Sequence, residues 1–584
     1  MKRLLLYVHF NKFNRLSLHV VYQLEKLRPL YSKVVFISNS DFKLGDQARL
    51  EEQGLIDDFI QRQNSGFDFA AWRDGMAQVG WENLANYNSV TTMNDTCFGP
   101  LWDLEASYQK FEADPNVDFW GLTNHRKTKS FPEHIQSYFI SFSQKVVTSS
   151  AFQEFWQGVE DFTDVQEVIG QYETRVTTAL TDVGFKYDAV FNTLDASTDG
   201  MLHPDFSYYN PTAILNARVP FIKVKTIDAN QSITPYILNQ IEATSDYPVG
   251  LIVSHMTNIG QPDLPYLLAR KYLEQAEAEE LPAESKVAVH LHVFYVDLLQ
   301  EFLDAFKTFH FAYDLFITTD KEEKRAEIQA ILEQNQVLAQ IFVTGNIGRD
   351  VLPMLKLKDQ LKGYDYIGHF HTKKSKEADY WAGQSWRQEL IAMLVKPANQ
   401  ILAQMAKNDR LGIVIADMPS FFRFNKIVVA WNENLIAPEM EELWEKMSLK
   451  KSIDFKAMDT FVMSYGTYAW FKYDALSPLF DLDLTDEYVP AEPLPQNSIL
   501  HAIERLLIYI AWDKHYDYRI SPSPITMTPF IENKQLNTRA NSSPNTYVDF
   551  TYMGGIKGAL KYIIIGPARA VKYILKRLQG KVKH

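Results

Sequence analysis

The sequence reads NSGFDF at residues 64–69 and NIGRDV at residues 346–351. Both stretches have the pattern Asn-x-Gly-x-Asp, and each follows a short apolar run. Glycine tolerates positive φ and lets the backbone approach another group closely, so each stretch predicts a tight polar turn after a strand. A turn of the same pattern in both halves of one chain indicates a repeated domain if the flanking segments also agree.

The segments around the two turns follow one order. The first half runs through LLLYVHF, an amphipathic segment and VVFISNSD before its turn, and the second half runs through KVAVHLHVFYV, LLQEFLDAF and YDLFITTD. His290 falls where His9 fell, and HFHTKKS at 369–375 falls where MNDT stood. The order agrees over roughly 130 positions, which predicts an internal duplication.

Strands that alternate with helices predict an α/β fold with a largely parallel, Rossmann-like sheet in each half. With 584 residues, the chain exceeds the size of a single core. We predict four parts: an N-terminal domain over residues 1–282, a C-terminal domain over 283–530, a linker over 531–550 and a tail over 551–584.

Composition limits the class of protein. A hydrophobic fraction of 46% with 22% charged residues is ordinary for a soluble globular protein. A single cysteine, Cys97, favours a reducing, cytoplasmic setting, and the net charge of −13 argues against nucleic-acid binding. The first residues predict a strand rather than a secretory leader, and we expect no membrane-spanning segment.

The tail has the opposite charge to the rest of the chain. Residues 551–584 contain eight Lys or Arg and no acidic residue. Val571, Ile574, Leu575, Leu578 and Val582 recur at helical spacing, with lysines off that stripe. This pattern predicts a basic amphipathic helix on an anionic membrane surface, or a tail packed on its own acidic body.

Candidate ligand residues follow the predicted strands, because open α/β sheets bind ligands beyond the carboxyl ends of their strands. Asn94 and Asp95 stand at such an end in the first half. A diphosphate there needs its charge neutralised by Mg²⁺ or Mn²⁺ on carboxylates, or by cationic side chains. Asp95 is the expected metal ligand or ribose contact; the alternative is a simple Asx turn.

Other side chains complete the candidate chemistry. His371 and Lys373 stand at the matching place of the second half, where lysine could hold phosphate directly or form a solvated loop. Glu173 and Glu504 lie on predicted helices and suit a general base for sugar transfer. The aromatic stretch HPDFSYYNPT, from His203, and PFIKVK suit a carbohydrate surface but also ordinary packing.

The order from residue 64 to residue 96 resembles nucleotide-sugar glycosyltransferases of the GT-A type. As a set, NSGFDFAAWRDG, MNDTCFGPL, HFHTKKS, IADMP, GTYAWFKYDALSPLF and AEPLPQNSILHAIERL resemble the rhamnan synthesis protein F family of streptococci and related bacteria. The resemblance implies an enzyme of cell-wall polysaccharide biosynthesis at the inner face of the cell membrane. It would transfer L-rhamnose from dTDP-β-L-rhamnose to a lipid-linked rhamnan, with inversion.

The resemblance also implies the donor-binding residues. In the first half they are His9, Asn64, Gly66, Asp68, Arg73 and Asn94, with Asp95 beside them and Arg73 facing phosphate; in the second half they are Asn346, Gly348, Asp350, His371 and Lys373. Two alternatives stay open: one GT-B-type site shared by both halves, and a non-catalytic polysaccharide-binding factor that docks other transferases at the membrane.

Overall fold

The computed structural model describes residues 1–199, 201, 203–274, 280–374, 380–420, 422, 431–458, 462–490, 494 and 498–523, together with residues 560, 563–564, 567–568, 571 and 574–575. They belong to two compact units, unit 1 (Met1–Ile259) and unit 2 (Gly260–His584). The predicted linker over 531–550 lies outside the described residues, as do Leu578 and Val582 of the tail.

The boundary between the units precedes the predicted residue 282. The segment after residue 260 packs within unit 2, because Lys271 pairs with Asp517 at 2.6 Å and the backbone N–H of Leu273 donates to Ile520 O at 2.9 Å. A charged pair this well buried holds the segment on the last strand of that unit.

Unit 1 is built on one large mixed sheet in the order β3-β2-β1-β4-β8-β6-β7, with β9 paired to β6 and a small β10-β5 sheet beside it. Strands β1 to β4 are parallel, β8 is antiparallel to β4 and β6, and β9 is parallel to β6. The strands are β1 (Arg3–His9), β2 (Lys33–Ser38), β3 (Asp58–Gln61), β4 (Ser89–Asn94), β5 (Cys97–Phe98), β6 (Phe119–His125), β7 (His134–Ile135), β8 (Phe139–Ser143), β9 (Tyr187–Phe191) and β10 (Ile222–Lys223).

Helices cover both faces of this sheet, which is why β1 and β2 are apolar without alternation. Val20 and Leu24 belong to the core on one face, and Phe69 and Trp72 belong to the core on the other. The helices of eight or more residues are Leu18–Leu27, Leu44–Glu52, Phe67–Val79, Glu105–Ala113, Ser150–Gln157, Thr174–Thr181, Thr234–Thr244 and Gly250–Ile259.

Unit 2 has a seven-stranded sheet in the order β13-β12-β11-β14-β16-β15-β17. Its strands are β11 (Val287–His292), β12 (Asp314–Thr319), β13 (Gln340–Val343), β14 (Tyr366–His371), β15 (Leu411–Ala416), β16 (Ala469–Phe471) and β17 (Asp517–Ser521). Its longer helices are Leu299–Phe306, Glu322–Gln334, Tyr380–Leu390, Ala398–Lys407, Trp431–Lys446 and Ile499–Asp513.

The two sheets share strand order and strand direction. In each, four parallel strands precede an antiparallel strand, which joins them to one further strand and its parallel partner. The predicted α/β class with two parallel-rich sheets is confirmed. Within the described parts of the chain, no helix is both long and apolar enough to cross a membrane.

The two Asn-x-Gly-x-Asp turns each lead from an edge strand into a helix. Gly66 and Gly348 have φ of 64° and 81°. A Cβ on Gly66 would lie 2.4 Å from the Cβ of Ala70, and one on Gly348 would lie 2.3 Å from the Cβ of Leu352. The turn and the following helix therefore require glycine at both positions. The space beside each glycine is occupied by a side chain of the protein, and not by a bound ligand as the sequence predicted.

His290 does not occupy the place of His9. His9 stacks on Phe36 and meets Phe42 edge to face, in the core that faces helix Leu18–Leu27. His290 lies on the same face of its strand as Ala288, in the core that contains Val351, on the opposite side of its sheet. Val293 rather than His290 matches His9, because the N–H of Thr372 donates to His292 O as that of Asp95 donates to Val8 O. The sequence comparison was therefore offset by three residues, and an odd offset reverses the face of a strand.

Candidate functional site

In unit 1, three polar side chains meet at the carboxyl end of β4. Asp68 lies in the first turn of helix Phe67–Val79, where it accepts a hydrogen bond from the Asn94 side-chain amide at 2.7 Å. Asp95 follows β4, and its carboxylate accepts the backbone N–H of Phe10 at 3.1 Å. The structure thus brings together Asp68, Asn94 and Asp95, as the sequence predicted.

The ionised forms of Asp68 and Asp95 are electrostatically unfavourable. Removal from water is the main cause that raises the pKa of Asp68 to about 6; the Asn94 amide opposes this shift and the charge of Glu173 adds to it. Burial, followed by the charge of Asp68, raises the pKa of Asp95 well above its usual range. Two carboxylates that destabilise each other's charged forms are stabilised by a cation.

The donor set fits a hard divalent cation that keeps most of its coordination for other ligands. Mg²⁺ is usually held by one or two carboxylates together with waters and substrate phosphates, and Asp68 and Asp95 provide that number. Over the described ranges, no group of three or more His, Cys, Asp or Glu side chains is arranged around a common metal position. A cation here would therefore depend on the phosphates of a ligand for its remaining coordination.

Neutral histidines border Asp95. His9 Nδ1 lies 3.2 Å from Ser38 Oγ, and its Nε2 lies 3.9 Å from the Asp95 carboxylate. His19 Nε2 lies 3.5 Å from the backbone oxygen of Asp95. Burial lowers the pKa of His9 to about 3 and that of His19 to about 4, so both rings are uncharged at neutral pH. Sequence reasoning missed His19 because it lies within an apolar helical pattern.

Glu173 lies within electrostatic reach of this cluster. It ends a π-helical turn, Ile169–Glu173, and its Oε1 accepts the Ser137 hydroxyl at 2.9 Å and the Ser137 backbone N–H at 3.4 Å. Its charge raises the pKa of both Asp68 and His134. Single π-helical turns occur often at functional sites, because the extra residue re-aims a side chain.

Arg73 does not face the carboxylate cluster. Its guanidinium pairs with Asp74 at 2.7 Å and with Asp161 at 3.2 Å, so its expected role toward phosphate does not match its contacts. The cation next to the cluster is Arg62, whose charge lowers the pKa of Asp68 and which donates to Asn39 Oδ1 at 2.9 Å. The predicted ligand residue Asn64 is half-buried in the turn that follows.

Lys223 adds a second cation that sequence reasoning did not select. It pairs in register with Cys97, and its Nζ lies 4.9 Å from the centre of the Tyr138 ring. Its charge lowers the pKa of both Cys97 and His134. Burial nevertheless dominates at Cys97 and raises the pKa of the thiol, which accords with an inert buried cysteine.

Unit 2 repeats this geometry with different side chains. The N–H of Thr372 donates to His292 O at 2.9 Å, as the N–H of Asp95 donates to Val8 O at 3.1 Å. The Thr372 hydroxyl then accepts the N–H of Phe294 at 2.9 Å, the contact that the Asp95 carboxylate makes in unit 1. A threonine therefore occupies the position of the strand-end aspartate, and unit 2 lacks that carboxylate.

Glu504 is the counterpart of Glu173. Its Oε1 accepts the backbone N–H of Gly466 at 2.5 Å, just before the antiparallel strand β16, as Glu173 accepts Ser137 before β8. Burial and the charge of Asp350 raise the pKa of Glu504, whereas the Lys373 charge lowers it. Lys373 Nζ lies 3.4 Å from the centre of the Trp386 ring. Unit 2 thus combines the glutamate with a cation.

The remaining predicted residues of unit 2 divide into two groups. Asp350 is buried, accepts the Thr467 hydroxyl and lies 3.2 Å from His369 Nε2 and 3.9 Å from His371 Nε2. These histidines and the hydroxyl hold the pKa of Asp350 well below its usual range despite burial. Asn346, in contrast, is exposed in the turn and outside this network.

A chain of hydrogen bonds leads away from Asp350. His290 Nδ1 lies 2.8 Å from His369 Nδ1, and His290 Nε2 lies 2.9 Å from Thr318 Oγ1, which also contacts His292 Nδ1 at 2.9 Å. If His369 donates through Nε2 to Asp350, each neutral ring can donate to the next acceptor in one direction. The strand ends of unit 2 therefore hold one carboxylate, Asp350, among neutral histidines, without the second carboxylate that Asp95 provides in unit 1.

Fold and site together define a two-sheet α/β protein with a carboxylate cluster at the strand ends of one unit. The rhamnan synthesis protein F family matches residues 34–516, which is most of the chain. The chain belongs to this family, which confirms the resemblance and supports a glycosyltransferase role.

Curated relatives match over shorter stretches. The uncharacterized protein y4gN of Sinorhizobium fredii is 31% identical over 172 residues, 29% of this chain and 43% of the relative. The uncharacterized protein WxcX of Xanthomonas campestris is 26% identical over 278 residues, 46% of this chain and 37% of the relative. The chain therefore spans less than half the length of these curated relatives.

Solved structures give weak likenesses. The glycosyltransferase GlyE of Streptococcus pneumoniae is 11% identical, with 66% of this chain and 89% of that chain covered and a TM-score of 0.23. HddC of Yersinia pseudotuberculosis is 11% identical, with 33% and 90% covered and a TM-score of 0.22. These scores are below the level of a shared fold and add nothing to the strand order described above.

The buried histidines of unit 2 predict a loss of stability in acid. Burial lowers the pKa of His371 to about 4 and that of His292 to about 3, from 6.5. Below pH 6.5 these two histidines bind protons in the unfolded chain but stay neutral in the folded protein. The free energy of unfolding therefore falls as the pH falls. Each histidine should make the free energy of unfolding about 2 kcal/mol lower at pH 5 than at pH 7.

Urea unfolding of His292→Asn at pH 7 and pH 5 measures this effect. Asparagine can still donate to Thr318 but does not titrate, so the variant should lose about 2 kcal/mol less than the parent between these pH values. His310→Asn, at an exposed position, controls for removal of a histidine. Equal pH dependence of parent and His292→Asn would contradict the assignment.

Proposed function

We propose that this protein is an inverting glycosyltransferase that moves L-rhamnose from dTDP-β-L-rhamnose to a lipid-linked rhamnan chain, with a catalytic site of the GT-A type in unit 1. The observation that carries the proposal is the cluster of Asp68, Asn94 and Asp95 with Glu173 at the strand ends, in a chain of the rhamnan synthesis protein F family.

The positions of the acidic groups suit donor binding. A nucleotide sugar carries its negative charge on the diphosphate, and open α/β sheets bind such groups beyond the carboxyl ends of their strands. Asp68 and Asp95 would hold Mg²⁺ or Mn²⁺ there, and the bound cation would neutralise charge on the departing diphosphate. Arg62 adds positive charge near Asp68, and it is also paired with Asp74 at 2.9 Å and with Asp161 at 3.0 Å.

Glu173 is the proposed general base. It would accept the proton of an acceptor hydroxyl while that oxygen forms a bond to the anomeric carbon. The bond from this carbon to the diphosphate breaks, and dTDP leaves with the electron pair. Attack from the face opposite the diphosphate converts the β-linked donor into an α-linked product, so no covalent enzyme intermediate is needed.

The hydrogen bonds of Glu173 prepare it for this role. The Ser137 hydroxyl and backbone N–H both donate hydrogen bonds to Oε1 of Glu173. These bonds orient the carboxylate and leave Oε2 for an acceptor hydroxyl. The raised pKa values of Asp68 and Asp95 mean that negative charge in this site is unfavourable until a cation arrives. All these groups come from unit 1, which favours a site within one unit over the GT-B alternative.

For unit 2 we propose descent from the same ancestral domain by duplication. The shared strand order and the paired Glu173 and Glu504 support this origin. With Thr372 in the place of Asp95, and Lys373 beside Glu504, a second centre in unit 2 would neutralise phosphate through lysine rather than metal. The alternative is that unit 2 only binds the acceptor or is a copy that has lost its activity.

Glu173→Gln tests the base. The amide keeps the size of the side chain but cannot take a proton, so kcat for rhamnose transfer should fall about 10²- to 10⁴-fold with KM for the donor little changed. Glu167→Gln, at an exposed glutamate one turn earlier, is the matched control. Glu504→Gln measured in parallel apportions turnover between the units. Undiminished kcat in Glu173→Gln would rule out this role.

Removal of metal tests the two carboxylates. Treatment with EDTA should abolish transfer by unit 1, and added Mg²⁺ or Mn²⁺ should restore it. Asp95→Asn should raise the metal concentration needed for half-maximal turnover at least about tenfold, because a ligand charge is lost. Asp41→Asn, at an exposed aspartate, is the control. Full turnover in EDTA would show that lysine or arginine suffices.

We further propose that the tail holds the protein on the inner face of the cell membrane, where a lipid-linked acceptor would be available. The described tail residues are helical, and Leu560, Ile563, Ile564, Val571 and Ile574 are each more than half exposed. An apolar stripe with lysines around it is suited to an anionic surface. The alternative, a non-catalytic docking factor, would share this tail but would bind no nucleotide sugar.

Deletion of residues 551–584 tests the anchor. The full chain should sediment with vesicles that contain phosphatidylserine and should be released by high salt, because the lysine contribution is screened. The shortened chain should stay in the supernatant, as should the full chain with purely phosphatidylcholine vesicles. Sedimentation of the shortened chain with anionic vesicles would refute the anchoring role.

A further inference from the structure

A cluster of aromatic rings lies beside Glu173 in unit 1 and has no part in the proposed chemistry. His125 and His134 face each other across the β6–β7 ladder and stack at 5.3 Å between ring centres. His203 lies 5.6 Å from His125 and 5.8 Å from Tyr209, and Phe131 lies 6.1 Å from His125. We call His125, Phe131, His134, His203 and Tyr209 the ring platform.

The ring platform is partly open to solvent. Tyr209 is 49% exposed and Phe131 is 38% exposed, whereas His125 and His134 are each 6% exposed. Exposed aromatic side chains supported by a buried ring layer are costly to leave in water unless they bind something. The platform therefore has the form of a binding surface with a rigid base.

The hydrogen bonds of the histidines fix what the platform offers to a ligand. His125 Nδ1–H donates to Arg126 O at 2.7 Å, and His134 Nδ1–H donates to Pro132 O at 2.8 Å. Burial lowers the pKa of His134, so its neutral ring has an acceptor at Nε2. His203 is the reverse, since its Nδ1 accepts the Asp205 N–H at 3.3 Å and its Nε2 is left to donate.

Such a surface matches a saccharide. The apolar faces of sugar rings pack on aromatic rings, and each sugar hydroxyl both donates and accepts hydrogen bonds. The platform presents ring faces together with acceptors on His125 and His134 and a donor on His203.

The location decides which saccharide. The carboxylates proposed for the donor lie at the end of β4, and the platform lies at the end of β6 and β7, beyond β8 in the sheet. The helix that carries Glu173 lies against β7, because the Ser137 hydroxyl donates to Glu173 at 2.9 Å and the N–H of Ile135 donates to the Thr177 hydroxyl at 3.0 Å. Glu173 is therefore close to the platform residue His134, and its charge also acts on Asp68. A base must contact the acceptor hydroxyl while that oxygen attacks the anomeric carbon. The acceptor must therefore lie next to both Glu173 and the donor sugar, on the face of that sugar opposite the diphosphate.

We propose that the ring platform is the acceptor subsite, where a terminal sugar of the growing polysaccharide stacks with its hydroxyl directed at Glu173. This inference rests on the proposed function. It is specific to unit 1: when the β15–β16 register is continued, the positions of unit 2 that match Asn124 and His125 are Met418 and Pro419. The two units would then differ in acceptor binding as well as in phosphate binding.

The test uses the full-length protein, a short α-linked rhamno-oligosaccharide as acceptor and dTDP-rhamnose as donor. Tyr209→Ala should raise the acceptor KM, and the Kd of the oligosaccharide measured by calorimetry without donor, about tenfold, which is the size expected for one stacked ring. The Kd of dTDP-rhamnose should stay within about twofold. Tyr209→Phe keeps the ring and should bind nearly as the parent does.

Tyr236→Ala is the matched control, because Tyr236 is a 60% exposed tyrosine of unit 1 outside the platform. His125→Phe keeps a ring but removes the Nε2 acceptor. It should weaken the binding of the oligosaccharide without weakening the binding of the donor. Unchanged oligosaccharide affinity in Tyr209→Ala, or an equal loss in Tyr236→Ala, would overturn the inference. So would a loss of donor affinity in Tyr209→Ala, which would indicate that the rings hold the nucleobase.

The two proposals fail differently. If the parent protein binds no dTDP-rhamnose and transfers no sugar, the proposed function fails, whereas oligosaccharide binding that depends on Tyr209 would still support the platform as a saccharide site. If donor binding and transfer are intact but the oligosaccharide binds without regard to Tyr209 and His125, only the acceptor subsite is wrong.

Discussion

The structure depends on one recurring hydrogen bond, between a helix-borne glutamate and the backbone N–H that precedes the antiparallel strand of each sheet. Glu173 makes it to Ser137, and Glu504 makes it to Gly466. Because the antiparallel strand lies next to β4 or β14, this bond places a carboxylate beside the strand ends where Asp68 or Asp350 lies. The same strand order thus produces the same acid pair twice.

From this shared frame the two units diverge by a few side chains. Asp95 becomes Thr372 at the strand end, with the backbone contacts kept. Unit 1 concentrates negative charge, whereas unit 2 pairs its glutamate with Lys373 and fills its strand ends with neutral histidines. Strand pairing and apolar cores are common to both units, whereas the charges at the strand ends differ. The backbone is therefore stabilised by the strand pairing and the cores rather than by these charges.

Much of this arrangement could be predicted from the sequence. Strand and helix order, Asp68 and Asp95 at the strand ends, and the pairing of Glu173 with Glu504 follow from apolar periodicity and from polar residues after strands. Arg73 could not be placed, because its ion pair with Asp161 joins segments far apart in the chain. His134 and Lys223 were missed because contacts between distant segments define them, and the face of His290 was predicted wrongly because the two halves were compared with a three-residue offset.

The π-helical turn at Ile169–Glu173 has a consequence for how this site can vary. It contains one residue more than an α-helical turn, so deletion of one of residues 169–172 would restore regular winding without shortening the protein appreciably. The carboxylate would then rotate about the helix axis by ~100°. One codon therefore separates a chain with its glutamate aimed at the strand ends from an otherwise identical chain in which that group points elsewhere.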